Sequence, residues 1–329
     1  MNPLHVWFLD TVHSALKEQL AEAGMVCHDG TALDRTDLIR QASSPDSPVD
    51  GLVLRSRLQL DEALLRALPD LQWIARSGSG LENIDLSTAA SLNIEVFSSP
   101  EGNRDAVGEH VVGMLLNVLH KLRSADESVR RKEWNREQHR GRELSAMTVG
   151  IMGYGHMGSA VAERLMGFGC RVVAYDKYKS GWGEHPDVER PLAHVEPVGW
   201  KDFCESVDVV SLHLPWTEET QGMADEAWFG QFSKPILLIN SSRGPIVRTQ
   251  PLLTALASGQ VTHACLDVLE HEGRSLELLE FGSNVDERAA FETLLGHPNV
   301  LLSPHVAGWT VESYRKLSTV LADKILGRH

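Results

Sequence analysis

The sequence predicts an α/β protein made of two domains, each built on a parallel sheet. Three observations carry that expectation. The chain has 329 residues, about twice what one ordinary domain needs. Short runs of Val, Ile and Leu alternate with helix-period segments almost from the first residue, with no internal repeat, low-complexity tract or long charge run. These runs are apolar throughout, not alternately polar, as strands covered on both faces must be.

The elements follow in order. Val6 to Leu9 is expected as a strand; Val12, Ala15, Leu16, Leu20 and Ala23 then recur at helical spacing, and Gly24 supplies the stop. Leu52 to Leu54 is expected as the second buried strand and Asp61 to Leu68 as a helix closed before Pro69. Leu71 to Ala75 is a strand running into Gly78 and Gly80, and Ile94 to Phe97 another. Arg104 to Arg123 is a long helix leading to a second series of units, whose strands are Thr148 to Met152, Arg171 to Tyr175, Val207 to Leu212, Ile236 to Ile239 and Ala264 to Val268. Between the last two, Pro251 stands in the first turn of a helix stopped by Gly259. A final strand, Val300 to Ser303, precedes a helix from about Val311 to Leu326.

Composition excludes several functions. The formal net charge is −14, so no broad positive field exists to hold a nucleic acid or an anionic membrane. The amino terminus has no basic stretch before its apolar residues and reaches Asp10 too early for a signal peptide's apolar core, so export is not expected. The apolar run between His110 and His120 is broken by Gly113 and Asn117 and falls short of the roughly 20 residues a bilayer span requires. Cys27, Cys170, Cys204 and Cys265 are widely spaced, with no C-x-x-C pair, which points to a reducing cytoplasm and to neither a disulfide framework nor a bound metal.

The most specific signal is Val149-Gly150-Ile151-Met152-Gly153-Tyr154-Gly155-His156-Met157-Gly158, a G-x-G-x-x-G directly after a strand and opening a helix. Gly153 permits the tight turn, Gly155 lets the backbone approach a pyrophosphate, and Gly158 allows close helix–strand packing, while the helix N-terminus supplies N–H donors. The next strand ends in Asp176, where a carboxylate can accept hydrogen bonds from the adenosine ribose and repel the extra 2′-phosphate of NADP; Lys177 and Lys179 offset that repulsion in part. The reading is a dinucleotide site that prefers NAD.

Three further constellations sit after strands: Asn240-Ser241-Ser242-Arg243-Gly244, Leu266-Asp267-Val268-Leu269-Glu270-His271-Glu272, and Ser303-Pro304-His305-Val306-Ala307-Gly308. Ligands of open parallel sheets bind outside the carboxyl ends of the strands. Singly, each has a plain explanation: an ion-paired arginine, a solvated acid, a capping histidine. Together, an arginine suited to a carboxylate, an acid and an imidazole beyond a dinucleotide site make redox chemistry intelligible.

With these residues in view, the chain resembles the D-isomer-specific 2-hydroxyacid dehydrogenase family over nearly its whole length. The resemblance rests on Arg76-Ser77-Gly78-Ser79-Gly80-Leu81-Glu82-Asn83-Ile84-Asp85, Pro100-Glu101-Gly102-Asn103 with Val107-Gly108-Glu109-His110, the glycine fingerprint, Leu212-His213-Leu214-Pro215, Asn240 to Gly244, Asp267 to Glu272 and Pro304-His305. It implies two Rossmann-like or flavodoxin-like domains with the active-site cleft between them: residues 1–103 and 300–329 as a discontinuous substrate domain, and 104–299 as the NAD domain. It implies Arg243, Glu272 and His305 as the catalytic set, and Ser79 and Gly80 as substrate-carboxylate ligands beside Arg243. Cofactor contacts are implied for Gly153, Tyr154, Gly155, His156, Met157, Gly158, Asp176, Leu214, Pro215, Ser241, Ser242, Arg243, Asp267, His305 and Gly308. A homodimer is implied too, with the apolar helix near His110 to Leu122 contributing to its interface.

Within the family, Arg55-Ser56-Arg57 and His305 to Thr310 look most like phosphoglycerate dehydrogenases and hydroxypyruvate reductases, which makes Arg55 and Arg57 candidates for a substrate phosphate. The end at His329 leads to the expectation that no C-terminal regulatory domain, and no serine feedback through one, is present. Two departures concern the substrate wall: Gly273 where the family commonly has proline, and a longer, more acidic segment Arg274 to Leu295. The rivals are a formate dehydrogenase, disfavoured because Glu272 stands where that group has glutamine, and an NAD-sensing corepressor, disfavoured by the missing basic face.

Overall fold

The computed structural model describes residues 3–44, 46–179, 193–273 and 285–328. The chain divides into two units, one comprising Met1–Asn103 and Trp309–His329, the other Arg104–Glu272 and Leu279–Gly308.

In the first unit, strands β1 (His5–Phe8), β2 (Val26–Asp29), β3 (Gly51–Leu54), β4 (Trp73–Arg76) and β5 (Glu95–Ser98) form one parallel sheet in the order β2-β1-β3-β4-β5. Helices α1 (Ser14–Glu22), α2 (Arg35–Ala42), α3 (Glu62–Arg66) and α4 (Leu86–Ser91) connect them. The caps are those of the sequence: Asp34 and Asp37 make a capping box at α2, Asp61 caps α3, Asp85 caps α4, and Gly24 takes φ +89° just past α1.

In the second unit, the helices are α5 (Pro100–Leu119), which begins at the unit boundary, α6 (Leu122–Arg130), α7 (His156–Leu165), α8 (Trp200–Ser206), α9 (Glu226–Phe229), α10 (Thr249–Ser258) and α11 (Val285–Leu295). Strands β6 (Thr148–Met152), β7 (Arg171–Tyr175), β8 (Val195–Pro197), β9 (Val209–Leu212), β10 (Ile236–Asn240), β11 (Val261–Leu266) and β12 (Val300–Leu302) form a second parallel sheet in the order β12-β11-β10-β9-β6-β7-β8. The order reverses between β6 and β9, and the crevice outside the carboxyl ends of those two strands is where such a sheet binds ligands. Buried side chains cover both faces of each sheet.

The last helix, α12 (Val311–Ile325), opens with a capping box of Thr310 and Ser313 and belongs to the first unit. Its Leu321 and Ala322, both fully buried, join Val6, Phe8, Leu16, Leu20 and Val53 in one core cluster. Burying a leucine contributes about 1.5–3 kcal/mol. Lys324 clasps Glu101 at 2.9 Å, and a Cβ on Gly102 would lie 2.6 Å from the Leu317 nitrogen, so glycine is what lets the two backbones meet.

Several expectations change. β12 pairs with β11 and is an edge of the second sheet, so the return to the first unit falls at Trp309 and not at residue 300. The long helix starts earlier, at Pro100, and ends at Leu119; Lys121, at φ 52°, separates it from α6. The side of α5 that carries Val111, Met114, Leu115 and Leu119 is taken up by the core of its own unit, while Val112, Leu116 and Val118 are half-buried. Of the segment Arg274 to Leu295, residues 274–284 lie outside the described residues, and the remainder is α11. Among the described residues, no helix is long and apolar enough to cross a membrane.

Candidate active site

The three glycines after β6 play different parts. Gly153 has φ +89°, and a Cβ there would stand 2.4 Å from the His213 carbonyl oxygen at the end of β9. Gly158 lies against the turn it follows: a Cβ would meet the Gly153 oxygen at 2.1 Å. Gly155, by contrast, faces open space, with nothing within 4 Å of a Cβ. It is also the N-cap of α7 and provides no side chain to cap the first amides. A cavity of about 680 Å³ lies beside it, lined among others by Gly153, Gly155, Asp176, His213, Leu214 and Pro215.

Asp176 Oδ2 accepts from the Tyr154 N–H at 2.9 Å and its Oδ1 from the Tyr178 N–H at 3.0 Å, so the carboxylate also shapes the glycine turn. Lys177 pairs with Glu219, to which the Tyr178 hydroxyl also donates. Among the described residues, Ser241 Oγ, His213 Nδ1 and Trp228 Nε1 are buried polar atoms of this unit with no hydrogen-bond partner. His213 Nε2 meets Ser211 Oγ at 2.8 Å, and burial pushes the imidazole pKa down to about 3. An open glycine, an uncapped helix start, a carboxylate at the next strand end and the unpartnered His213 Nδ1 and Trp228 Nε1 of residues at the cavity wall fit a bound dinucleotide.

Two cofactor expectations are corrected. The Tyr154 ring is fully buried in the core with Val111, Leu115 and Val161, so its side chain is withdrawn from a ligand. Ser242 Oγ donates to the Leu212 carbonyl at 2.5 Å and accepts from the Leu214 N–H at 3.2 Å, which ties β10 to β9 and uses the hydroxyl inside the chain. His156 and Met157 form the first turn of α7, Leu214 and Pro215 follow β9, and Gly308 ends the segment after β12.

The catalytic candidates gather at the ends of β10, β11 and β12. His305 Nδ1 is 2.8 Å from Glu272 Oε2, and Glu272 Oε1 accepts from the Leu269 N–H at 2.7 Å. An ionised carboxylate only accepts, so Nδ1 carries the proton of the neutral ring and Nε2 is left as the working nitrogen. The His305 backbone is left-handed, at φ 53°, an unusual state for a residue with a side chain. It is held by its own N–H to the Asp267 carbonyl at 2.7 Å and by the Asp267 carboxylate, which accepts from Val306 N–H at 2.9 Å, Ala307 N–H at 2.8 Å and Ser303 Oγ at 2.6 Å. Asp267, only 1% exposed, thus holds the turn; its expected cofactor contact gives way to that role. Arg243, after β10, donates from Nη1 to the Ser242 carbonyl at 2.6 Å and is partly exposed.

In the first unit, Arg55 follows β3 and lies over the Trp309 ring, 4.2 Å from its centroid. Arg57 donates to the Leu9 carbonyl from Nε at 3.1 Å and from Nη2 at 2.6 Å, and to the Leu33 carbonyl from Nη1 at 3.0 Å, with Asp10 at 3.4 Å. All three nitrogens anchor neighbouring loops, so the expectation that Arg57 binds phosphate is replaced by a structural role. The Ser79 hydroxyl donates to Asn103 Oδ1 at 2.9 Å, leaving backbone as what Ser79 and Gly80 offer a ligand. Sequence reasoning missed His110 and Ser303 beside Asp267, because nothing in their spacing brings them together.

Comparison with known proteins shows the family and the fold. Residues 112–307 match the family described as D-isomer specific 2-hydroxyacid dehydrogenase, NAD binding domain. The chain is similar to a D-3-phosphoglycerate dehydrogenase of Archaeoglobus fulgidus, 30% identical over 94% of this chain and 54% of that one, and to a hydroxypyruvate reductase of Thermotoga maritima, 30% identical over 84% of each. It has the fold of a D-lactate dehydrogenase from Aquifex aeolicus solved with NAD and lactic acid, with a TM-score of 0.78, 24% identity and coverage of 98% of this chain and 96% of that one. The chain belongs to the D-isomer-specific 2-hydroxyacid dehydrogenase family, and its second unit is the family's NAD-binding domain. It spans about half the length of the phosphoglycerate dehydrogenases it matches.

Proposed function

We propose that this protein is an NAD-dependent dehydrogenase that interconverts a small D-2-hydroxy acid and its 2-keto acid. The observation that carries the reading is the 2.8 Å contact of His305 Nδ1 with Glu272, on the unit that bears the glycine turn. NAD, when bound, supplies or takes up the hydride. In the reducing direction, protonated His305 donates from Nε2 to the carbonyl oxygen; Glu272 fixes the ring and, as a neighbouring negative charge, favours its protonated form. Arg243 binds the substrate carboxylate and polarises the carbonyl, with the Ser79 and Gly80 amides as further carboxylate ligands. Oxidation reverses each role.

The substrate we favour is 3-phosphoglycerate, paired with 3-phosphohydroxypyruvate, on the strength of Arg55 after β3 and of relatives that carry that name. Glyoxylate or hydroxypyruvate is the second reading, supported by the Thermotoga maritima relative, whose length this chain covers better. The protein is read as a cytoplasmic homodimer; the exposed Leu122, Val129 and Trp134 of the second unit support a second copy as their cover. The test is turnover of hydroxypyruvate, glyoxylate, pyruvate and 3-phosphohydroxypyruvate with NADH and NADPH. Tight NAD binding with no turnover of any acid would favour a sensor and overturn the enzyme reading.

A further inference from the structure

The Asp267 carboxylate has four neighbours that are not part of the reaction: the Val306 and Ala307 amides, Ser303 and His110. The first two belong to the His305 turn itself. The other two form a chain of their own. Ser303 Oγ lies 2.6 Å from Asp267 Oδ1 and 2.9 Å from His110 Nε2, while His110 Nε2 is 3.5 Å from the same carboxylate oxygen. Ser303 Oγ also passes 3.9 Å from Met114 Sδ, a far weaker acceptor than a carboxylate. A hydroxyl has one proton. Given to Asp267, it leaves the serine oxygen as an acceptor, so His110 must present an Nε2–H. The direction is therefore fixed from the α5 ring to the serine after β12 to the carboxylate after β11.

What this chain supports is visible in the backbone. His305 is held at φ 53°, and the carboxylate that accepts from the two following amides is the one that Ser303 and His110 orient. A carboxylate that lost its Ser303 bond would be held about its Cβ–Cγ bond by the two amides alone, and the amides of Val306 and Ala307 would shift with it. The cost of a turn that favours other backbone states would then no longer be fully opposed. The Ser303 carbonyl accepts from the His305 N–H at 3.1 Å, a backbone bond that side-chain substitutions leave in place, while neither the Ser303 hydroxyl nor the His110 ring touches His305 in the described contacts, so both side chains act through Asp267.

We infer that His110 and Ser303 are positioning residues for His305, acting through the Asp267 carboxylate. This rests on the proposed dehydrogenase reading for its kinetic arm, and on geometry alone for its spectroscopic arm. Ser303→Ala is expected to lower kcat about 10-fold, less than the roughly 100-fold that a full 1 Å misplacement costs, with the KM for the keto acid and NADH affinity changed less than about 2-fold. Ser303→Thr keeps the hydroxyl and restores kcat to within about 3-fold of the wild type. His110→Leu loses part of the same factor, and the double variant His110→Leu/Ser303→Ala loses no more than Ser303→Ala alone, because one chain is cut twice. In ¹⁵N-histidine spectra of the whole protein, His110 is expected as the Nε2–H tautomer, and Ser303→Ala shifts the His305 ring signals while Ser303→Thr does not.

Unchanged kcat in Ser303→Ala, equal losses in the alanine and threonine variants, or additive losses in the double variant would overturn the inference, as would a His110 Nδ1–H tautomer. A wild type that reduces no keto acid would overturn the dehydrogenase reading instead. The spectra would still decide the positioning, since His305 signals that ignore Ser303→Ala refute it without any turnover.

Discussion

Lys179 Nζ donates to the carbonyl oxygen of Tyr154 at 2.6 Å, which places one of the two nearby lysines on the glycine turn and not in open solution. The other, Lys177, is paired with Glu219. Both cations are engaged where an NADP 2′-phosphate would need them, and Asp176 stands beside them. Preference for NADH over NADPH is therefore expected. Asp176→Ala should narrow the ratio of kcat/KM for the two cofactors by about 10–150-fold, the equivalent of a charged hydrogen bond of about 1.5–3 kcal/mol. Some of the loss with NADH will come from the Tyr154 and Tyr178 amides that Asp176 now holds. Wild-type preference for NADPH would show that the lysines outweigh the acid.

His305→Gln is expected to lower the hydride-transfer step by about 10²–10⁴-fold, the usual contribution of a general acid or base, with NADH binding near normal. Single-turnover stopped flow separates that step from product release. An unchanged rate would remove His305 from the chemistry.

Arg55 is the remaining candidate of its pair for a phosphate. Arg55→Ala should lower kcat/KM for 3-phosphohydroxypyruvate by about 10–150-fold and leave glyoxylate nearly untouched. Equal losses on both would indicate that the stacking of Arg55 on Trp309 supports the fold and not the substrate.

His213 links stability to pH. Its folded pKa, about 3, lies below the ordinary value of 6.5, because burial disfavours the charged ring. Between those values the unfolded chain binds a proton that the folded protein refuses. Stability is thus fully present above pH 6.5 and falls as pH drops towards 3, by at most about 1.4 kcal/mol per unit from this group. Burial also lowers His28 and His263, which act in the same sense. Urea midpoints of the cofactor-free protein should fall from pH 7.5 to pH 5.5, and less steeply in His213→Asn. Identical slopes would mean that the folded protein protonates His213 freely.

The elements most legible in the sequence were those buried on both faces. β6 and β7 fall where Val, Ile and Ala cluster, while the edge strands β2 and β8 went unseen because Val26-Cys27-His28-Asp29 and Val195-Glu196-Pro197 are half-exposed and, unlike the edges β5 and β12, carry no apolar run. The break at Lys121 had no proline or glycine to announce it. At the candidate site, the meeting of Glu272 with His305 follows from strand ends that converge in a parallel sheet. Which polar groups are available to a ligand was not, because Ser242, Asp267 and Arg57 differ from their neighbours only in the partners that distant segments bring to them.

The placement of α12 has a consequence for synthesis. A ribosome releases β1 to β5 first, yet the face of their sheet that holds Val6, Phe8 and Val53 is covered only in part, by Leu16 and Leu20 of α1, until Leu321 and Ala322 emerge. By then every strand of the second sheet, ending at Leu302, has left the tunnel. The unit that begins the chain is thus the last to close, and its nascent strands, with an apolar face only partly covered for most of translation, are where a holding chaperone would engage this protein.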